Sequence, residues 1–289
     1  MKLVVIPKSI EQINDLIDIA DAFIVGVEDL SINLPTYFSV EEVKEISNTL
    51  NSHNKELFVS LNKNMHNSDL SLLESTLLEL ENINLTGILY YDIAIMNLKN
   101  KLNIKHDLVW SQEHMTTNAY TCNYWHDMGA KYVTLSSEIT SEEIIEIKES
   151  SDMKLIVPIF GYLPMFASRR HLVKNYLEFF NLEDNSNVNY IFKEGKTYPI
   201  IDSKTGTVVY SAYILNGIKE SLELKEHNID YLLLNSIFIE DELFKEILTM
   251  FKNANNDNVL EYQEKIDNSL LTDRGFLYKE TVYKVKNNE

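Results

Sequence analysis

The sequence predicts an α/β protein built as a (β/α)8 TIM-type barrel. Three observations carry that expectation: eight short apolar runs recur along the chain, each is followed by a stretch with helical spacing, and the alternation is regular except at one place. Strand, helix, strand in that order implies parallel pairing with right-handed crossovers, and eight such units close most naturally into a barrel. An open doubly wound sheet is the alternative architecture.

The predicted strands are LVVIP (3–7), AFIVGVE (22–28), ELFVSLN (56–62), LTGILYYD (85–92), DLVWSQE (107–113), KYVTLSSE (131–138), KLIVPIF (154–160) and IDYLLLN (229–235). Between them, VEEVKEISNTL, LSLLESTLLELENI and SEEIIEIKESS repeat apolar positions at three and four residues, the spacing of a helix laid on a sheet. Two of these helices announce their starts. Ser39 with Glu42, and Thr140 with Glu143, have the spacing of a capping box, in which each side chain satisfies a backbone N–H that the first turn leaves open. The chain has only 8 glycines, and VGVEDL after the second strand carries one, so neither a Gly-rich phosphate loop nor a dinucleotide fingerprint is present.

The regular spacing breaks between strands seven and eight, where about 68 residues intervene, more than twice the ordinary unit. This stretch reads as a helix over 168–180, small antiparallel strands turning at KEGK and DSKTG, and a second helix over AYILNGIKESLELKEHN (212–228). The expected organisation is a barrel over 1–252 that includes a helix-plus-β-hairpin insertion at 163–211, followed by a C-terminal tail at 253–289. NANNDN is a flexible break, and DRGFLYKETVYKVK alternates weakly enough to add one short strand. In a barrel, a loop after a strand lies at the C-terminal mouth, so the insertion is placed to cover a site.

Lys plus Arg is 26 and Asp plus Glu is 44, giving 26 − 44 = −18, which opposes attraction to phosphate backbones and anionic membranes. Nucleic acid is therefore a disfavoured partner. The single cysteine, Cys122, excludes an intramolecular disulfide framework and any cluster held by several thiolates of one chain, and it fits a reducing cytoplasm. The first turns carry Glu11, Asp15 and Asp18, unlike a secretory signal, and no later segment approaches ~18 uninterrupted apolar residues. No membrane contact is expected.

Strand ends are where a barrel keeps its chemistry, and several here are polar. Asn62 closes strand three, Tyr91 strand four, Gln112 and Glu113 strand five, and Ser137 and Glu138 strand six. Glu113 and Glu138 end adjacent strands ~4.8 Å apart, close enough for one carboxylate to raise the pKa of the other, as an acid/base pair needs. The bland reading of each is a helix cap or a lysine partner. His66, His114, His126 and His171 lie near loops or helix starts but follow no metal-site spacing, so a divalent metal is possible without being indicated; Glu113, His114 and Glu138 would be its fallback ligands. Tyr162 stands at the exit of strand seven. Beyond it, Arg169, Arg170, His171 and Lys174 form a basic island with no carboxylate between Gly161 and Tyr176, suited to gripping an anion or carboxylate.

Four segments, SQEHMTTNAYTCNYWHDMGAKYVTLSSEITSEEIIEI, VPIFGYLPMFASRRHLVKNY, YIFKEGKTYPIIDSKTGTVVYS and DRGFLYKETVYKVK, together resemble the collagenase-like peptidase family U32 over nearly the whole chain. The resemblance matches Asn118 to the asparagine opening the helix after strand five, Glu138 to the acidic residue closing strand six, Gly161 to the glycine after strand seven, and Arg170 to the arginine of the following loop. Many relatives place a histidine before that glycine and two cysteines in the loop; here those places hold Phe160, Pro164 and His171. Branches that resemble iron-sulfur proteins and hydroxylate RNA bases or quinones use such cysteines, so no iron-sulfur cluster is expected here. Ser137 stands where many members have an arginine. Strand-end placement and the resemblance together point to a hydrolase acting on a peptide or small anionic substrate. The resemblance implies roles for Glu138, Asn118, Gly161 and Arg170; placement at the strand ends and in the basic island adds Glu113 as the partner of Glu138 in a catalytic pair, with Asn62, Tyr91, Tyr162 and Arg169 joining Asn118, Gly161 and Arg170 in binding substrate. The alternatives are a non-catalytic or partner-dependent barrel, forming homo- or hetero-oligomers through insertion and tail, and an accessory factor in RNA modification.

Overall fold

The computed structural model describes residues 1–112, 114–183 and 188–278. In chain order the elements are β1 (Lys2–Ile6), α1 (Ile10–Leu16), β2 (Ala22–Val27), a two-residue β3 (Tyr37–Phe38), α2 (Val40–Ser52), β4 (Glu56–Leu61), α3 (Leu70–Leu80), β5 (Gly87–Tyr90), α4 (Ile93–Leu102), β6 (Leu108–Ser111), α5 (Ala119–Asp127), β7 (Ala130–Thr134), α6 (Ser141–Ser150) and β8 (Lys154–Ser168). Then follow α7 (Leu172–Phe180), β9 (Asn189–Lys193), β10 (Lys196–Ser203), β11 (Gly206–Asn216), α8 (Glu220–Glu226), β12 (Tyr231–Asn235), α9 (Asp241–Asn253), α10 (Val259–Ser269) and β13 (Thr272–Asp273).

All eight predicted strands pair in parallel, in the order β1-β2-β4-β5-β6-β7-β8-β12, and β12 pairs with both β8 and β1, so the sheet closes. The fold is a closed (β/α)8 barrel. Closure leaves no edge in the barrel wall and buries both faces of each strand, which is why the strands read as near-continuous apolar runs. The two foreseen capping boxes are both present: Glu42 accepts from the Ser39 N–H at 2.8 Å, and Glu143 from that of Thr140 at 2.7 Å.

Alternate residues serve two cores. Leu3, Val5, Phe23 and Val25 face the helices, whereas Val4, Ile6, Ala22, Ile24, Val109 and Ile156 fill the lumen. The lumen floor is aromatic: Phe58 meets Tyr132 and Tyr231 edge-on at 5.4 and 5.6 Å. Tyr231 donates to Glu56 Oε2 at 2.8 Å, so its hydroxyl is satisfied at the rim of the N-terminal face.

The insertion differs from expectation in two ways. Strand seven does not stop at Phe160 but runs to Ser168, and the segment expected to open a helix at Ala212 is the second half of β11. Val208, Tyr210, Ala212 and Ile214 are all buried, a period of two, and β-branched and aromatic residues favour a strand there; helix begins only after Gly217, at Glu220. β11 pairs antiparallel with the extension of β8, from Thr207 opposite Ser168 to Asn216 opposite Phe160, and β10 and β9 continue that sheet outward. β8 thus lies in the barrel wall with its first half and in an antiparallel arm with its second. In the tail, Val259, Tyr262 and Ile266 pack one face of α10 on the body, a helix the sequence reading left out, and β13 pairs with β11. No helix among the described residues is long and apolar enough to cross a membrane.

Candidate functional site at the barrel mouth

Along four strands the inward positions change character toward the C-terminal end: Phe58 to Ser60 to Asn62, Val109 to Ser111, Tyr132 to Thr134, and Tyr231 to Leu233 to Asn235. Apolar filling gives way to hydroxyls and amides. The result is an inner chamber of about 100 Å³, floored by Ile6, Ile24, Leu89 and Leu233, ringed by those polar groups, and roofed by Tyr162, Leu163 and Pro164. Thr134, one of the lining residues, is 9% exposed, and its Oγ1 is buried without a hydrogen-bond partner. A buried hydroxyl left unpaired costs about 1–3 kcal/mol, a cost a bound polar group would relieve.

An outer chamber of about 200 Å³ opens above it, sharing Asn33, Asn62 and Ser111 and adding Lys63, Tyr91, Gln112, His114 and Arg169. Its cations are not equivalent. Lys63 is buried, with Nζ donating to Asp29 O at 2.6 Å and pairing with Asp69 at 3.4 Å. Arg169 side chain is 40% exposed and meets Asp69 only at 3.7 Å, which leaves most of the guanidinium's donors to the chamber. His114 Nδ1 lies 3.7 Å from Glu138 Oε1 on the rim.

The residues singled out from sequence separate into three groups. Asn62, Tyr91, Tyr162 and Arg169 line the chambers. Asn62 also braces them, its amide donating to Ile32 O and its carbonyl accepting from Ile32 N, both at 2.9 Å, so the loop after β2 is held over the mouth. Burial raises the Tyr162 phenol above its ordinary pKa, with Tyr190 adding to it, and the ring packs edge-on against Phe238 at 5.5 Å. Gly161 acts by having no side chain: its φ is +119°, and a Cβ there would stand 2.6 Å from the Asn235 carbonyl oxygen. The close crossing of β8 over Asn235 shapes the roof.

Glu138, Asn118 and Arg170 stand apart from the chambers. Glu138 is exposed on the rim, reaching the site through His114. Asn118 is an exposed helix cap whose Oδ1 accepts from Thr121 N at 2.9 Å. Arg170 is exposed and its carbonyl accepts from Thr207 Oγ1 at 2.8 Å. Glu113 lies outside the described residues. Ser60, Thr134 and Asn235 were not singled out; the period-two alternation along their strands is the signal that marks them.

No group of three or more His, Cys, Asp or Glu side chains able to hold a metal occurs among the described residues. Cys122 is fully buried on α5, and burial pushes its thiol up to about 11. Pro164 roofs the inner chamber, and His171 is bonded through Nδ1 to Asp202 Oδ1 at 2.9 Å. This donor set does not fit an iron-sulfur cluster, which needs thiolates.

A closed (β/α)8 barrel with a two-chambered polar mouth under an antiparallel arm defines the class of protein. The chain belongs to peptidase family U32, whose profile matches residues 8–286. It is 28% identical to tRNA hydroxylation protein P2 of Bacillus subtilis (strain 168) over an alignment 305 positions long, covering 98% of this chain and 99% of that one. It is 24% identical to tRNA hydroxylation protein P1 of the same organism, over 55% of this chain and 38% of that longer one. Among solved structures it resembles the U32 peptidase Mk0906, with a TM-score of 0.53 and 14% identity over 81% of this chain and 92% of that chain, a likeness of fold alone.

Proposed function

We propose that this chain takes part in tRNA hydroxylation in the cytoplasm, in a role like that of protein P2, with the oxidising centre supplied by a partner and not by this chain. One observation carries the reading: the correspondence with protein P2 runs end to end, through barrel, arm and tail. Two properties of the chain agree with a shared task. A single buried cysteine gives it no thiolate set of its own, and a net charge of −18 assigns the grip on tRNA chiefly to another surface. Its own contribution is the mouth, where Arg169 offers a partly free guanidinium to a small anion and the inner chamber takes an uncharged portion.

Deletion of the gene from its host, followed by mass spectrometry of tRNA nucleosides, tests this. The expected result is loss of a hydroxylated nucleoside, restored by a plasmid copy; an unchanged nucleoside profile overturns the proposal. A second reading, peptide hydrolysis, rests on the His114–Glu138 pair, which sets a base beside a carboxylate at the rim. The purified chain incubated with a complex peptide mixture decides it: new termini dependent on Glu138 support hydrolysis, and an intact mixture sinks it.

A further inference from the structure

The arm carries an unusual surface. Between α7 and the β9–β10 sheet lies an open groove of about 710 Å³, lined largely by apolar side chains. Tyr176 and Tyr190 line it, each more than half exposed; Phe180, also more than half exposed, packs on Tyr176 at 4.8 Å and Phe179 on Phe180 at 5.0 Å, and Phe179 at 79% and Phe192 at 78% are the most exposed rings of the arm. Phe and Tyr each carry about 150–250 Å² of surface, so at these exposures the five rings offer on the order of 600 Å², most of the roughly 800 Å² per partner in a standard interface. A patch of this size on a soluble protein marks an interaction surface.

The backbone of β9 points the same way. Among the described residues it pairs with β10 alone and ends the sheet. Glu194 and Gly195, with φ of 52° and 74°, make the two-residue turn between them, so Lys193 and Lys196 form a hydrogen-bonded pair. Alternation then turns the N–H and C=O groups of Asn189 and Ile191 toward β10 and those of Tyr190 and Phe192 outward. Lys193 is the one charge on this short edge, and among the described residues no proline, bulge or inward charge interrupts Tyr190-Ile191-Phe192.

We propose that this edge pairs with the same edge of a second copy of this chain, antiparallel about Ile191. In that register Tyr190 of one copy exchanges hydrogen bonds with Phe192 of the other, as two outward-facing residues must, and Asn189 meets Lys193, so no like charges stand opposite. The strand is self-complementary, which a two-fold interface requires. Charge selects the same place. Residues 163–211 hold 6 Lys and Arg against 5 Asp and Glu, a net +1, so the rest of the chain carries −19 of the −18 total. Two copies can approach through their arms while the acidic barrels stay apart.

Light scattering coupled to gel filtration across a dilution series, at physiological salt, tests the proposal. The full chain should run at twice its 33.5 kDa mass. Phe192→Pro removes an outward N–H without touching the β10 ladder, and should halve that mass while circular dichroism and the melting midpoint stay unchanged. A chain that is monomeric at every concentration overturns the proposal, even if it then binds a different family member through the arm. So does a dimer that persists in folded Phe192→Pro protein.

Discussion

Thr134 carries the sharpest conflict between stability and use at the level of single residues. The residue lines the inner chamber, and its hydroxyl is buried and bonds to nothing. Thr134→Val keeps the shape and removes the unpaired group, so unfolding in urea should show the variant about 1 kcal/mol more stable, and under the proposed role in tRNA hydroxylation its capacity to complement the deletion strain should fall. A variant that is less stable would mean that the hydroxyl has a bonding role in the folded protein. Gly161 was legible from the sequence, by resemblance, but its reason was not: the demand for a bare Cα comes from the crossing of β8 over Asn235, a contact between strands far apart in the chain. Asn118 shows the opposite case. Its place at a helix start was legible, and the same placement commits its side chain to Thr121 N rather than to the chambers.

At the scale of elements, the eight strands were legible because burial on both faces writes long apolar runs, and the capped helices because Ser39 and Thr140 sit at fixed offsets from glutamates. The arm was harder. AYILN reads as the start of a helix in isolation, and its strand conformation follows from pairing with β8, which no local pattern reveals. A polar knot helps to pin the tail. Asp267 accepts from Arg274 Nη2 at 2.7 Å, from Thr272 Oγ1 at 2.5 Å and from Asn216 Nδ2 at 2.8 Å. Burial alone would raise the Asp267 carboxyl, but these hydrogen bonds outweigh it and hold the pKa below the usual carboxylate value. A depressed folded pKa gives stability that is present above the unfolded value of about 3.9 and is lost as pH falls through the folded one. Asp267→Asn should therefore cost about 1 kcal/mol at neutral pH, a modest figure because the pair is partly exposed, and the difference from wild type should disappear on acid titration.

For the molecule as a whole, barrel and arm are joined by a hairpin whose pairing shifts register between Val209 and Tyr210 and between Tyr210 and Ile214, and is regular again at its far end, Ser168 lying opposite Thr207. A chain in which residues 169–205 are replaced by a two-residue turn should fold, with a melting midpoint close to that of the full chain, because the lumen and helix-facing cores both lie outside the deleted segment. It should also be monomeric in light scattering. Failure to fold would show that the arm's outer strands and α7 contribute to the barrel itself.

β8 gives that architecture a mechanical character. One strand serves first as a stave of the barrel and then as the beam of the arm, with no loop between the two uses. The arm is in that sense a cantilever, its free end at β9 and its root at Phe160 to Pro164. That root is also the roof of the inner chamber. The strand that shapes the ceiling of the site is therefore also the strand that carries the arm, with its partner β11 shifting register where the two uses meet, between Tyr210 opposite Pro164 and Ile214 opposite Tyr162.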